Sequence, residues 1–170
     1  MDTTELEMCL YQDPKVKRIL GGVFPSDRLP QDIKDKKVFI ANTDPAEEKG
    51  EHWVAFYFTP QGTCIYFDSY GLPPLVPSFI KFMERNALKW IFNSRKLQHQ
   101  NSSVCGHYCL FFIFHMVRKV SLIKMLKLFD RRAHVNDRMV KYFVNKHYTL
   151  DKQKKNKFEL QRTKKKDDHM

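Results

Sequence analysis

Apolar positions along the chain follow two different rhythms, and each predicts its own elements. From Val38 they come in short β-rich runs, Val38 to Asn42, Trp53 to Thr59 and Thr63 to Phe67, bounded by Pro45, Pro60-Gln61-Gly62 and Gly71. Pro60-Gln61-Gly62 reads as a hairpin connection, and Trp53 to Phe58 is apolar at nearly every position, which predicts a central strand covered on both faces. The rhythm then turns helical: Pro77 to Phe92 places Phe79, Phe82, Met83, Leu88 and Ile91 on one face of an amphipathic helix. Cys105 to Val117 is apolar almost all round, as a buried helix would be. Two further helices are predicted, Ser121 to Phe129 and Asn136 to His147, with Ser121 and Asn136 as N-caps. The first forty residues combine a short helix, Thr4 to Tyr11, with turn-rich sequence around Gly21, Gly22, Pro25 and Pro30. The polar stretch Asn93 to Ser103 reads as a loop with a brief strand near Lys96 to Gln98. Asp151 to Met170 is lysine-rich and poor in apolar residues, which predicts a disordered basic tail behind a single domain of residues 1–150. The fold class expected is α+β, with a small, mostly antiparallel sheet packed on the buried helix.

Composition narrows this picture. A chain of 170 residues buries a core without needing disulfides or a structural metal. It has no run of about 18 uncharged apolar residues, and its first residues are acidic where a signal peptide is basic and then apolar. An intracellular protein with no membrane partner is expected, and its four cysteines (Cys9, Cys64, Cys105, Cys109) read as reduced thiols. Charge is unevenly placed: residues 1–117 carry thirteen basic and thirteen acidic side chains, residues 118–170 seventeen and six. That basic third suits either a solvated helical face or contact with a polyanion, nucleic acid first.

The candidate chemistry centres on Cys105. At the start of its helix the thiol sits at the positive end of the macrodipole, among free backbone amides, a placement that lowers a thiol's pKa from about 8.5. Gly106 beside it offers room for a substrate backbone. Cys109, one turn further in, reads as core. His52 lies at the edge of the second strand and Asp68 at the end of the third. If those strands pair across Pro60 to Thr63, the two residues reach the same end of the sheet. His52 then serves as proton carrier to the thiol and Asp68 orients the imidazole. The remaining histidines fit less well, His99 and His107 being too near Cys105 in sequence and His115 lying inside the helix. An oxyanion donor is required as well, and Gln98, Gln100 and Asn101 all qualify by type. A zinc site from Cys105, His107, Cys109 and His99 or His115 matches no standard structural spacing.

Three segments carry a resemblance: His52-Trp53-Val54-Ala55, then Tyr66-Phe67-Asp68-Ser69-Tyr70-Gly71-Leu72-Pro73, then Gln98-x-x-Asn101-Ser102-Ser103-x-Cys105-Gly106-x-Tyr108-Cys109. In these the chain resembles the adenovirus-type (adenain-like) cysteine proteases, nearest to those encoded by Maverick/Polinton elements and related to the SUMO-specific proteases. The resemblance spans roughly residues 20–120. It implies the papain-like, adenain-like fold, with Cys105 as nucleophile, His52 as base, Asp68 as orienting acid and Gln98 as oxyanion donor; Trp53 and Gly106 are assigned to substrate binding. The family's glutamine lies seven residues before the cysteine, which selects Gln98; SUMO proteases place it six before, where this chain has His99. The adenovirus enzyme has glutamate at the acid position where this chain has Asp68.

The expected function is a cysteine endopeptidase that cleaves Gly-Gly or Gly-x sites in viral or transposon structural precursors. The alternatives are a deSUMOylating or deubiquitinating protease, and a catalytically silent nucleic-acid-binding module. No cofactor is required for the chemistry, with DNA expected as an activator through residues 118–170. The protein is expected as a monomer in the nucleus or the virion.

Overall fold

The computed structural model describes residues 1–167. Its strands are β1 (Leu20–Phe24), β2 (Val38–Asn42), β3 (Trp53–Phe58), β4 (Thr63–Phe67) and β5 (Lys89–Phe92). Its helices are α1 (Thr3–Gln12), α2 (Pro14–Lys17), α3 (Pro77–Asn86), α4 (Cys105–Val117), α5 (Leu122–Leu126), α6 (Ala133–His147) and α7 (Lys152–Asp167). The strands form one sheet in the order β1-β2-β3-β4-β5. β2/β3 and β3/β4 are antiparallel, whereas β1/β2 and β4/β5 are parallel. The sheet is therefore mixed, and the mostly antiparallel sheet expected holds only for its central three strands.

Alternation along the central strands explains why β3 is apolar throughout. Ala55 and Tyr57 face the larger core with α4, together with Val38 and Ile40 of β2 and Ile65 and Phe67 of β4. Val54, Phe56 and Phe58 face the second core, with Phe79, Phe82 and Met83 of α3. Both faces are covered, so no position on β3 needs to be polar. Phe67 stacks on Phe112 at 4.7 Å between ring centroids, which seats α4 against β4.

Several boundaries differ from the sequence reading. Gly21 and Gly22 lie in β1 and not in a turn. A Cβ on Gly21 would come within 2.0 Å of the Phe39 ring, so glycine is needed there for strand packing. The helix expected over Pro77 to Phe92 stops at Asn86, and residues 89–92 form edge strand β5. Leu88, placed on the helix's apolar face by spacing alone, is 90% exposed. The short crossover through α3 is what makes β4 and β5 parallel. Residues 96–98 form no strand. Ser121 caps α5 as expected, its side chain accepting the Lys124 N–H. Asn136 is not a cap: α6 starts at Ala133, and Asn136 is buried, bonding the Asp130 backbone and the Leu97 carbonyl.

Residues 152–167, expected to be disordered, form α7 against α1. Lys155 pairs with Asp2 and Glu5, Arg162 with Glu7 at 3.0 Å, and Phe158 packs on Tyr11. Composition predicts too small a core for this segment, and the structure supplies the missing surface from the other end of the chain. Residues 168–170 of that tail lie outside the described residues.

Candidate active site

β3 and β4 pair as a hairpin in the register Ala55↔Phe67, which brings the residue before β3 and the residue after β4 to one end of the sheet. There His52 Nε2 lies 3.0 Å from Asp68 Oδ1. The His52 carbonyl accepts the Thr43 N–H, which holds the backbone that carries the ring. Cys105 opens α4, which packs across β3. Its Sγ accepts the Trp53 N–H at 3.5 Å, from the residue next to His52. His52, Asp68 and Cys105, predicted from separate segments, are thus brought together at one end of the sheet.

Electrostatics at the thiol run in opposite directions. Burial alone would push the Cys105 thiol up; the hydrogen bond to His52, the N–H groups of Trp53 and Gly106, and the charge on His52 outweigh it and bring it below its ordinary value. Val104, the residue before α4, makes no side-chain cap, which leaves the first-turn amides to the sulfur. His52 is the mirror case. Its burial favours the neutral ring, yet the hydrogen bonds and negative charge of Asp68 and Cys105 raise it to about 9. The arrangement favours a thiolate beside an imidazolium. Cys109 shows the contrast: fully desolvated with no such partner, its thiol is pushed well above its ordinary value, as a core residue's should be.

Of the three oxyanion-donor candidates, Gln100 and Asn101 are exposed and only Gln98 is buried. Gln98 Oε1 accepts the Ser69 hydroxyl at 2.6 Å, and Nε2 donates to Ser102 O at 2.9 Å and to Ser102 Oγ at 3.1 Å. The amide N–H groups therefore face the segment that leads into Cys105. Trp53 is half-buried, and its indole N–H donates to the Met1 carbonyl at 3.0 Å. It forms one wall of a groove of about 410 Å³ between α1 and the β2–β3 loop. The expectation for Gly106 needs correcting. A Cβ there would meet Met1 and Leu6 at 3.2 and 3.3 Å, so the space it leaves is filled by α1 and its leading residue and is not an open slot for substrate.

Three residues at the site escaped the sequence reading. Asn93, at the end of β5, accepts the Asp68 N–H at 3.0 Å and donates to the Asp68 carbonyl at 2.6 Å. Tyr70 donates its backbone N–H to Asp68 Oδ1 and lays its ring 4.9 Å from that of His52. Ser69 is buried between Asp68 and Gln98. Tyr70 and Ser69 were visible as members of the Asp-Ser-Tyr-Gly segment, but a turn sequence explains them equally well; Asn93 carried no signal. Among the described residues no three His, Cys, Asp or Glu side chains gather as a metal-binding group, and no helix is long and apolar enough to cross a membrane.

Comparison with known proteins follows this geometry. No family model matches the chain. The SUMO-1 cysteine protease of African swine fever virus (isolate Tick/South Africa/Pretoriuskop Pr4/1996) is 36% identical over 94 residues, 48% of this chain and 34% of the viral protein. The protease of bovine adenovirus 7 is 31% identical over 103 residues, 51% of each chain. The crystal structure of the African swine fever virus protease superposes with a TM-score of 0.51 at 25% identity, covering 68% of this chain and 45% of that one. The chain carries the fold of a viral cysteine protease. The resemblance read from the three motifs, to adenovirus-type proteases with SUMO-protease kinship, is borne out by these relatives. The chain spans about a third to a half of the length of the curated relatives it matches.

Proposed function

We propose that the chain is a cysteine endopeptidase cleaving after glycine in a structural precursor of a virus or transposon. The observation that carries the proposal is His52, held on Asp68 at 3.0 Å, next to the Trp53 N–H that the Cys105 thiol accepts, so that acid, imidazole and thiol share one end of the sheet; the lowered thiol and raised imidazole agree with it. In this reading the Cys105 thiolate attacks the scissile carbonyl carbon, and the new oxyanion takes hydrogen bonds from the Cys105 backbone N–H and the Gln98 amide. The C–N bond breaks as the His52 imidazolium gives its proton to the leaving amine. Water, losing a proton to His52, then attacks the thioester, and the thiolate leaves with the substrate acid released. Asp68 keeps the ring oriented and stabilises its charged form throughout.

Glycine specificity rests on the resemblance, since adenovirus-type proteases cleave after Gly-Gly or Gly-x pairs, and Trp53 is assigned to substrate binding in the same reading. DNA as an activator belongs to the same reading, through the excess of basic residues in 118–170. The name of the swine fever relative favours a second substrate class, ubiquitin-like modifier tails. The test is incubation with Gly-Gly reporter peptides and with ubiquitin-like precursors, each with and without DNA, for the native chain and for Cys105→Ala. Hydrolysis by the native chain and none by Cys105→Ala with unchanged circular dichroism is expected. Hydrolysis retained by Cys105→Ala would sink the assignment, and cleavage of the modifier precursors alone would move the substrate class to the second reading.

A further inference from the structure

We infer that Ser69 is a positioning residue that holds the Gln98 amide in its donor orientation, so that the turn orienting the catalytic acid also orients the oxyanion donor. The inference rests on the reading of Cys105 as nucleophile and goes beyond it. Gln98 is fully buried and Ser69 is 1% exposed, so neither side chain has water to substitute for a lost partner. A carboxamide has two faces of similar shape, and only the NH2 face stabilises an oxyanion. The Ser102 carbonyl, at 2.9 Å, admits only a donor, which turns NH2 toward the Cys105 side and Oε1 toward Ser69. The Ser69 hydroxyl then donates to Oε1 at 2.6 Å.

The backbone repeats the connection. The Ser69 carbonyl accepts the N–H groups of Leu97 at 2.9 Å and Gln98 at 3.0 Å, fixing the loop that carries the glutamine. One residue earlier, Asp68 receives His52 on its carboxylate and Asn93 on its backbone. Asp68 and Ser69 are consecutive, so the imidazole and the oxyanion donor are registered to one turn. Substituting Ser69 by alanine leaves a buried carbonyl oxygen unpaired, so that the donor pose is held from one side only, by the Ser102 contacts.

A double-mutant cycle on a Gly-Gly coumarylamide reporter tests this, after wild-type hydrolysis and its loss in Cys105→Ala are established. Gln98→Ala should lower kcat about 100-fold or more, the scale for removing one oxyanion donor. Ser69→Ala should lower kcat roughly ten-fold or more with KM, the pH profile and the rate of Cys105 alkylation by iodoacetamide unchanged, and should cost nothing further in a Gln98→Ala background. Ser69→Cys, close in shape and a weaker donor, should fall between wild type and Ser69→Ala, and carries the same cycle if the alanine variant does not fold. An equal loss in both backgrounds, a kcat within two-fold of wild type, or a fall in alkylation rate would overturn the inference while leaving the protease reading intact. A native chain that hydrolyses nothing, or a Cys105→Ala variant that still hydrolyses, overturns both.

Discussion

Cys105 and Cys9 differ in what surrounds the sulfur and hardly at all in burial. Both are buried, but Cys9 is driven by desolvation and by Glu5 to about 12, whereas Cys105 has His52 and two amides to offset the same penalty. One pKa unit corresponds to about 1.4 kcal/mol between protonation states, so such partners decide which thiol is nucleophilic at neutral pH. The sign of the pH response follows. The active pair needs Cys105 deprotonated and His52 protonated. On the acid side activity falls as pH drops through the lowered thiol pKa; on the alkaline side it falls as pH rises through about 9, where His52 loses its proton. Measured kcat/KM against pH is expected to be bell-shaped, with the alkaline limb removed from the ordinary histidine range near 6.5. An alkaline limb close to 6.5 would show that Asp68 and Cys105 do not hold the proton on the ring. Iodoacetamide should meanwhile label Cys105 ahead of the other three thiols at neutral pH.

At the level of elements, what the sequence reveals depends on whether local pattern or distant contact forms the element. β2, β3, β4 and α4 lie where the hydrophobic rhythm puts them, and the hairpin argument alone brings His52 to Asp68. β5 was hidden because Ala87-Leu88 follows α3 without a breaking glycine or proline, and Leu88 and Ile91 continue its phase. With β5 hidden, Asn93 could not be placed either, since its role exists only because the parallel pairing Tyr66↔Phe92 sets it beside Asp68. Asn93 extends that pairing with a side chain, giving both backbone groups of Asp68 a buried partner. Asn93→Ala leaves the Asp68 N–H without a partner in a dry environment, at about 1–3 kcal/mol, while the Asp68 carbonyl keeps the Gly71 N–H. A loss of roughly 1–3 kcal/mol in urea unfolding is expected, with kcat reduced because the Asp68 backbone loses an anchor. A stability change under about 0.5 kcal/mol would mean that water takes over the Asp68 N–H.

Across the whole molecule, α1 and α7 meet at the flank of the site. α7 binds the acidic side of α1 through Lys155 and Arg162, and α1 with its leading residue supports Trp53 and Gly106 through the Met1 carbonyl and the side chains of Met1 and Leu6. The basic third therefore has an intramolecular partner, and any polyanion must compete with it. The ion pairs are partly exposed, worth about 0–1 kcal/mol apiece, and the Tyr11 contact with Phe158 adds a similar amount. Deleting residues 151–170 is then expected to cost only about 1–2 kcal/mol, a fall in Tm of a few degrees for a chain of this size. Salt separates the ionic part from the rest: raising ionic strength toward 1 M, where the Debye length shrinks to about 3 Å, should lower the Tm of the full chain toward that of the truncated one. The truncated chain should respond little to the same salt. DNA affinity should show the converse, its salt slope flattening on truncation because the deleted segment carries eight of the seventeen basic residues in 118–170. If the two chains melt alike at low salt, α7 makes no energetic contribution to α1, and the basic segment is free to meet an external partner without first leaving an internal one.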